Sequence, residues 1–271
     1  MLIIDANHLN TRYWKDIWEF RELIYFLCWR DLLVRYKQTV IGLMWTLVRP
    51  LLVMIVLSIV FGRLANLAVA EHVPYPLLVL SGLLPWLLFS NTLTDCSDSM
   101  ISNQNLISKI YFPRMIIPIG SSLVSLIEFC MTLGLLALVL VYSAYPPGMT
   151  LLALPYFIFI CFCLSIGTSL WISAFNVKYR DFRYIIPFAL QFGLYMSPIG
   201  YSTSLVSDKW KLWYAFNPLV GIIDGFRWSI LGPIEPLYLP AIAISSISSA
   251  VILWSGVWYF RRVERHFADI I

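Results

Sequence analysis

Charge is what this chain has least of. Asp, Glu, Lys and Arg make up 13% of its 271 residues, about half the usual share in a soluble globular protein. So little charge cannot solvate a full surface, which excludes an ordinary cytosolic enzyme and a disordered chain. Cysteine is scarce and odd in number. Cys28, Cys96, Cys130, Cys161 and Cys163 lie in or beside apolar segments, so reduced apolar thiols are expected rather than a disulfide framework. The three histidines, His8, His72 and His266, lie in different flanks and give no metal-ligand spacing. There is no GxxxxGK phosphate loop, no HExxH, no CxxC and no GxSxG, so no nucleotide, metal or cofactor site is expected on this chain. The net charge of +4 comes without a long Lys/Arg cluster, which gives no reason to expect a nucleic-acid partner. The first 16 residues hold Asp5, Arg12, Lys15 and Asp16 and no apolar run, so no cleavable signal peptide is expected.

Apolar residues are abundant instead, at 60%, with 16% aromatic, the composition that a bilayer with aromatic interfaces selects. A spanning helix needs about 20 mostly apolar residues. Six stretches qualify, at 44–67, 76–93, 115–142, 151–175, 184–199 and 239–260. The first carries Arg49 and Arg63 near its ends, where long side chains reach the headgroups. The fifth is short and holds Pro187, Gly193 and Pro198. Fifteen of the nineteen Lys and Arg residues fall on one side of this arrangement, in the N-terminal flank, the loops after spans two and four, and the tail. That bias predicts an all-α, multi-pass membrane domain over 1–271 with both termini in the cytoplasm.

Two segments are not spans. Residues 17–37 read as an interfacial helix, with Phe20, Leu23, Ile24, Leu27 and Val34 on one face and Trp18, Tyr25, Trp29 and Tyr36 on the other. Asp31 and Arg35 stand at i,i+4 as an expected ion pair. Packing of the same helix on the bundle in the cytosol is the alternative. Residues 201–236 hold short apolar runs broken by Asn217-Pro218 and Gly232-Pro233. They read as a re-entrant helical hairpin, since irregular backbone at membrane depth survives only inside protein or along a wet cavity. A long surface loop is the alternative.

Few residues carry chemistry. Asp95 and Asp98 are a close acidic pair near a span end, read more simply as solvated helix-end residues than as a metal site. Glu128 lies midway along span three, where a carboxylate is costly. It is either a proton site or a carboxyl bonded to Ser125 or Thr132. In span five Tyr184, Phe188, Gln191, Phe192 and Tyr195 recur at helical spacing, an aromatic stripe suited either to stacking on sugar rings or to helix packing.

The stretch RDLLVRYKQTVIGLMW at 30–45, leading to Arg49-Pro50, resembles the permease subunits of bacterial ABC exporters of cell-surface polysaccharide, chiefly O-antigen, with capsule and teichoic acid relatives. The resemblance continues in Leu84-Pro85-Trp86, in Lys109-Ile110-Tyr111-Phe112-Pro113-Arg114, in Tyr179-Arg180-Asp181 and in Phe216-Asn217-Pro218-Leu219. It implies six spans in the bacterial inner membrane, with an interfacial N-terminal helix and a periplasmic re-entrant pair. It also implies a homodimer with two copies of a separate ATPase, which would hold the ATP and Mg. The loops at 101–114 and 176–183 would dock that ATPase, through Lys109, Tyr111, Phe112, Arg114, Lys178, Arg180 and Asp181. The implied substrate is an undecaprenyl-diphosphate-linked polysaccharide. Arg30, Arg35, Lys37 and Arg49 would catch the diphosphate, as arginine forks suit phosphate oxygens, or would serve as ordinary positive-inside anchors. The stripe from Tyr184 to Tyr195 would line the sugar channel. A proton-coupled carrier built on Glu128 and a membrane glycosyltransferase are the rivals from other classes.

Overall fold

The structure is a computed structural model that describes residues 9–37, 42, 44–64, 73–179, 181–233, 237–264 and 267, with backbone alone for 9–12. The described residues form helices and no strand. A helix satisfies its own peptide groups, which lipid cannot do. In chain order these are α1 (Leu9–Glu19), α2 (Arg21–Lys37), α3 (Met44–Leu57), α4 (Tyr75–Ser102), α5 (Gln104–Lys109), α6 (Ile116–Tyr142), α7 (Leu154–Lys178), α8 (Phe182–Met196), α9 (Asp208–Ala215), α10 (Pro218–Leu231) and α11 (Leu239–Val263). A π-helical turn, Ser58–Leu64, prolongs α3, and a 3-10 turn, Met149–Ala153, leads into α7.

Five of these are long and apolar enough to cross a bilayer: α3 with its π turn, α4, α6, α7 with its leading turn, and α11. The expected fifth crossing, 184–199, corresponds to α8. This helix has 15 residues, or about 22 Å at 1.5 Å per residue, short of a hydrocarbon core of about 30 Å. It stops at Met196 because Ser197 precedes Pro198 and is held extended, at φ −104° and ψ 147°. The expected second crossing ends at Leu93, but α4 runs on to Ser102. Asp95 and Asp98 therefore sit within a helix, not beyond one. The expected helix at 17–37 is likewise two helices, broken at Phe20 between α1 and α2.

α4 and α7 occupy the centre, with α6 and α11 against them. The α7–α11 contact rests on missing side chains. A Cβ on Gly167 would come within 2.6 Å of the Leu253 backbone, so only glycine lets these helices approach so closely. α10 is wedged between α11, α4 and α7 with most of its residues buried. It begins at Asn217, whose side chain accepts from the Leu219 N–H at 3.1 Å, and ends at Gly232 with φ 81°, the usual start and stop chemistry of a helix.

Two apolar cores result. One joins α4, α6, α7 and α10 around Leu80, Phe129, Phe157 and Phe226. The other lies at the opposite end of the bundle, where α1, α2, α5 and the close of α11 meet around Leu27, Ile107, Phe112 and Phe260. The cations of α2, Lys109, Arg114, Arg261 and Arg262 belong to this second end, called the basic end below. α2 lies on α6 there, with Leu27 and Cys28 buried and Leu23 and Ile24 partly so. Val34, expected on the same face, is exposed. The last turn of α2 aims Arg35 and Tyr36 at the bundle instead, and Val34 is turned outward beside them.

Candidate functional site

The polar centre of the molecule lies where the end of α2 meets the middle of α6 and the last turns of α4. Arg35 extends its guanidinium between two carboxylates, with Nη1 donating to Glu128 Oε1 at 2.6 Å and Nη2 to Asp95 Oδ1 at 2.8 Å. The Tyr36 hydroxyl donates to the same Glu128 oxygen and lies 2.9 Å from Thr46 Oγ1 on α3. Ser125 donates to the other Asp95 oxygen at 2.9 Å. The side chain of Glu128 is 8% exposed and that of Asp95 19%, against 37% for Arg35. Two nearly buried carboxylates thus share one cation supplied from outside the spans. Burial opposes the charge on Arg35, but Asp95 and Glu128 outweigh it and hold the pKa above its ordinary value. Burial and the Glu128 bond push Tyr36 up to about 12, so it remains a donor at every physiological pH.

These contacts replace three expected ones. Asp31 takes Arg30 at 2.6 Å, not Arg35. Glu128 is satisfied by Arg35 and Tyr36, not by Ser125 or Thr132. The Thr132 hydroxyl is spent on backbone carbonyls. The Asp95–Asp98 pair is divided, since Asp98 faces Asn176 and, at 3.9 Å, Arg183.

A cavity of about 710 Å³ opens beside this cluster. Arg35, Arg49, Glu128 and Asp95 stand on one part of its wall, and Pro187, Gln191, Leu194 and Tyr195 of α8 on another. Of the four cations expected to act together, Arg35 and Arg49 line this cavity. Arg30 is tied down by Asp31 and by Asn103, the latter at 2.7 Å, while Lys37 is exposed at the end of α2. α8 leans on α4 here. A Cβ on Gly193 would come within 2.6 Å of the Trp86 ring, so Gly193 and the Trp86 of the Leu84-Pro85-Trp86 stretch fit each other. Tyr184, Phe188 and Phe192, the rest of the stripe, face outward, and Tyr195 is exposed as well as lining the cavity, with Phe188 and Phe192 in ring contact at 4.6 Å.

The irregular segment after α8 is held by a residue without an expected role of this kind. Arg227 of α10, 8% exposed, donates Nη2 to the Pro198 carbonyl at 2.7 Å, with weaker bonds at 3.3 Å to the carbonyls of Ile199 and Tyr201. Asp224, one turn earlier at i,i+3, pairs with Arg227 only loosely, at 3.9 Å, and accepts from Thr203 at 2.5 Å. The backbone carbonyls freed where α8 ends are thus satisfied by a buried cation, as buried backbone requires. The presence of Arg227 inside an apolar run was the signal for it.

The two expected docking loops are partly structural. Lys109, Tyr111, Lys178 and Asp181 are exposed, and Lys178 lies over the Tyr179 ring at 5.0 Å. Phe112 is buried in the basic-end core, and Arg114 donates to the Glu264 carbonyl. Asn176 is buried in α7 with its amide on the Ser97 carbonyl at 2.8 Å, so it belongs to the bundle. Arg180 lies outside the described residues.

Residues 22–231 match the ABC-2 type transporter family. The chain is 26% identical to the O-antigen export system permease protein RfbA of Myxococcus xanthus, over 95% of this chain and 98% of the relative. It is 27% identical to a protein of the same name from Klebsiella pneumoniae, over 92% and 95%. With 20% identity it is also similar to the polysialic acid transport protein KpsM of Escherichia coli, over 74% and 78%.

Proposed function

The chain belongs to the ABC-2 type transporter family, and on that premise we propose that it is the permease of an ATP-driven exporter that moves undecaprenyl-diphosphate-linked O-antigen polysaccharide from the cytoplasmic to the periplasmic side of the inner membrane. Membership makes it a multi-pass transmembrane subunit that works with an ABC ATPase. In this reading two copies of the chain pair with two copies of that ATPase, which holds ATP and Mg. The basic end faces the cytoplasm, α8 with the segment after it completes a sixth crossing, and α9 and α10 form a re-entrant pair on the periplasmic side.

One observation carries the substrate assignment: the Arg35–Arg49 cavity and the α8 stripe adjoin, sharing Gln191 and Tyr195. A diphosphate headgroup would meet the guanidinium groups of Arg35 and Arg49 at the polar centre, where the end of α2 reaches in from the basic end. A sugar chain leaving it would meet the aromatic faces of α8, which stack on sugar rings without a fixed register. These faces are exposed in the single chain, and the partner copy would close a channel over them. Movement of the ATPase would enter through the loops around Tyr111 and Asp181. Export of a capsular polysaccharide is the second reading, favoured by the likeness to the polysialic acid transport protein. Glu128 is held by Arg35 and Tyr36, which speaks against its use as a mobile proton carrier.

Depletion of this subunit in cells tests the proposal. Lipid-linked polymer accumulates inside, and complementation restores surface glycan. Unchanged surface glycan rejects the substrate assignment.

A further inference from the structure

On the wall of the Arg35–Arg49 cavity most short polar side chains are already spent. Ser90 and Thr94 donate to carbonyls of their own helix, Thr46 meets Tyr36, and Ser125 donates to Asp95. Three longer side chains are not. Arg49 of α3, Asn91 of α4 and Gln191 of α8 line the cavity and have no hydrogen-bond or ion-pair partner among the described residues. Amides that only join helices look different: Asn176 donates to the Ser97 carbonyl, and Asn103 accepts from Arg30.

The three stand near one level of the bundle. Thr46 is bonded to Tyr36, which holds Glu128, so Thr46 is level with the Arg35 cluster. Both α3 and α8 run antiparallel to α4: Gly62 meets the Tyr75 ring, and Gly193 meets Trp86 while Arg183 faces Asp98. Arg49 is three residues beyond Thr46, about 4.5 Å, and Asn91 four residues before Asp95, about 6 Å, both away from the basic end. Interpolation between the two α4–α8 contacts puts Gln191 within about 4 Å of the level of Asn91. A phosphate on Arg49 therefore has a carboxamide on each of two neighbouring helices beside it.

We propose that Asn91 and Gln191 bind the first sugar of the lipid-linked glycan, next to the phosphate on Arg49, and set which sugar is accepted there. A carboxamide carries donors and an acceptor together, which matches a sugar hydroxyl, itself donor and acceptor. A phosphate offers acceptors alone and uses only half of each amide. Ring faces adjoin the pair: Trp45 one turn before Arg49, 52% exposed, and Tyr195 one turn after Gln191. Stacking along α8 without a fixed register distinguishes sugars poorly, whereas a site built to hydrogen-bond a hydroxyl rejects a sugar that lacks it. The proposal rests on the diphosphate reading of this cavity and adds to it the recognition of the sugar.

The test uses the purified full chain in non-ionic detergent, with lipid retention read by native mass spectrometry. The probes are undecaprenyl diphosphate and the same lipid carrying one glucose, galactose, N-acetylglucosamine or N-acetylgalactosamine. At least one glycosylated probe is retained about tenfold better than undecaprenyl diphosphate. Asn91→Leu and Gln191→Met each reduce that advantage by about three- to tenfold and leave retention of undecaprenyl diphosphate unchanged. Arg49→Gln lowers retention of every probe alike. If Asn91→Leu does not fold, Gln191→Met serves alone, since Gln191 is exposed. Glycosylated probes held no better than undecaprenyl diphosphate, or an advantage untouched by the amide variants, overturn the proposal and leave the diphosphate reading standing. Failure to retain any probe, or retention indifferent to Arg49→Gln, overturns the diphosphate reading and this proposal with it.

Discussion

The shared cation at Arg35 leads to an asymmetric prediction. Arg35, Asp95 and Glu128 carry one positive and two negative formal charges. Arg35→Gln leaves two nearly buried carboxylates facing each other. Removing one partner of a buried ion pair costs about 3–5 kcal/mol, and the 37% exposure of Arg35 places this loss at the lower end, about 3 kcal/mol. Glu128→Gln acts differently. It keeps an acceptor for Tyr36, leaves the Arg35–Asp95 pair and neutralises the cluster, so its cost is about 1 kcal/mol or less. Adding Glu128→Gln to Arg35→Gln removes the repulsion and restores about 2 of the 3 kcal/mol. For a chain of this size about 1 kcal/mol moves a thermal midpoint by about 2–4 °C. Arg35→Gln then lowers it by about 6–12 °C and the double variant by about a third of that. Fluorescence-detected melting of the detergent-purified chain measures all three. A Glu128→Gln variant as unstable as Arg35→Gln, or a double variant no better than Arg35→Gln, refutes the reasoning. Export retained by Glu128→Gln separates the exporter from a proton-coupled carrier, which would lose transport.

Three further outcomes follow from the packing. Arg227→Met removes the donors to the Pro198, Ile199 and Tyr201 carbonyls and lowers stability by about 2–3 kcal/mol, whereas Arg227→Lys recovers only part, because one ammonium cannot reproduce the fork; melting of both variants checks this. Gly167→Ala drives a methyl into the Leu253 backbone and costs about 1–3 kcal/mol, while Gly134→Ala, where a Cβ meets nothing within 4 Å, is neutral or slightly stabilising in the same assay. Phe188→Ala with Tyr195→Ala reduces polysaccharide export at unchanged protein level; export at the parental rate would remove the stripe from the channel.

Where hydropathy alone decides the structure, the sequence was readable. The expected spans at 115–142 and 239–260 correspond to Ile116–Tyr142 and Leu239–Val263, because these long, predominantly apolar stretches hold no helix-breaking proline beyond their first turn. The last two turns of α4 were not readable in that way. Thr94 to Ser102 is polar and helical because it packs inside protein, with the Ser97 carbonyl taken by Asn176. The site was half legible. Arg35, Arg49, Glu128, Gln191 and Tyr195 were each singled out, but their meeting at one cavity depends on contacts between residues 60 and 93 positions apart. Local spacing suggested Asp31 for Arg35. Asp95 and Glu128 were the stronger claim, since a carboxylate inside a span needs a cation, and the adjoining Arg30 was there to satisfy Asp31.

Transport by inverted membrane vesicles tests the central proposal most directly. Vesicles holding this chain and its ABC ATPase are supplied with labelled undecaprenyl-diphosphate-linked polysaccharide on the outer, cytoplasmic-facing surface. The account predicts that ATP moves label into the lumen, out of reach of an added glycosidase, and that the transfer fails when either subunit is left out. Uptake that proceeds without the ATPase, or label that stays outside with both subunits and ATP present, contradicts it.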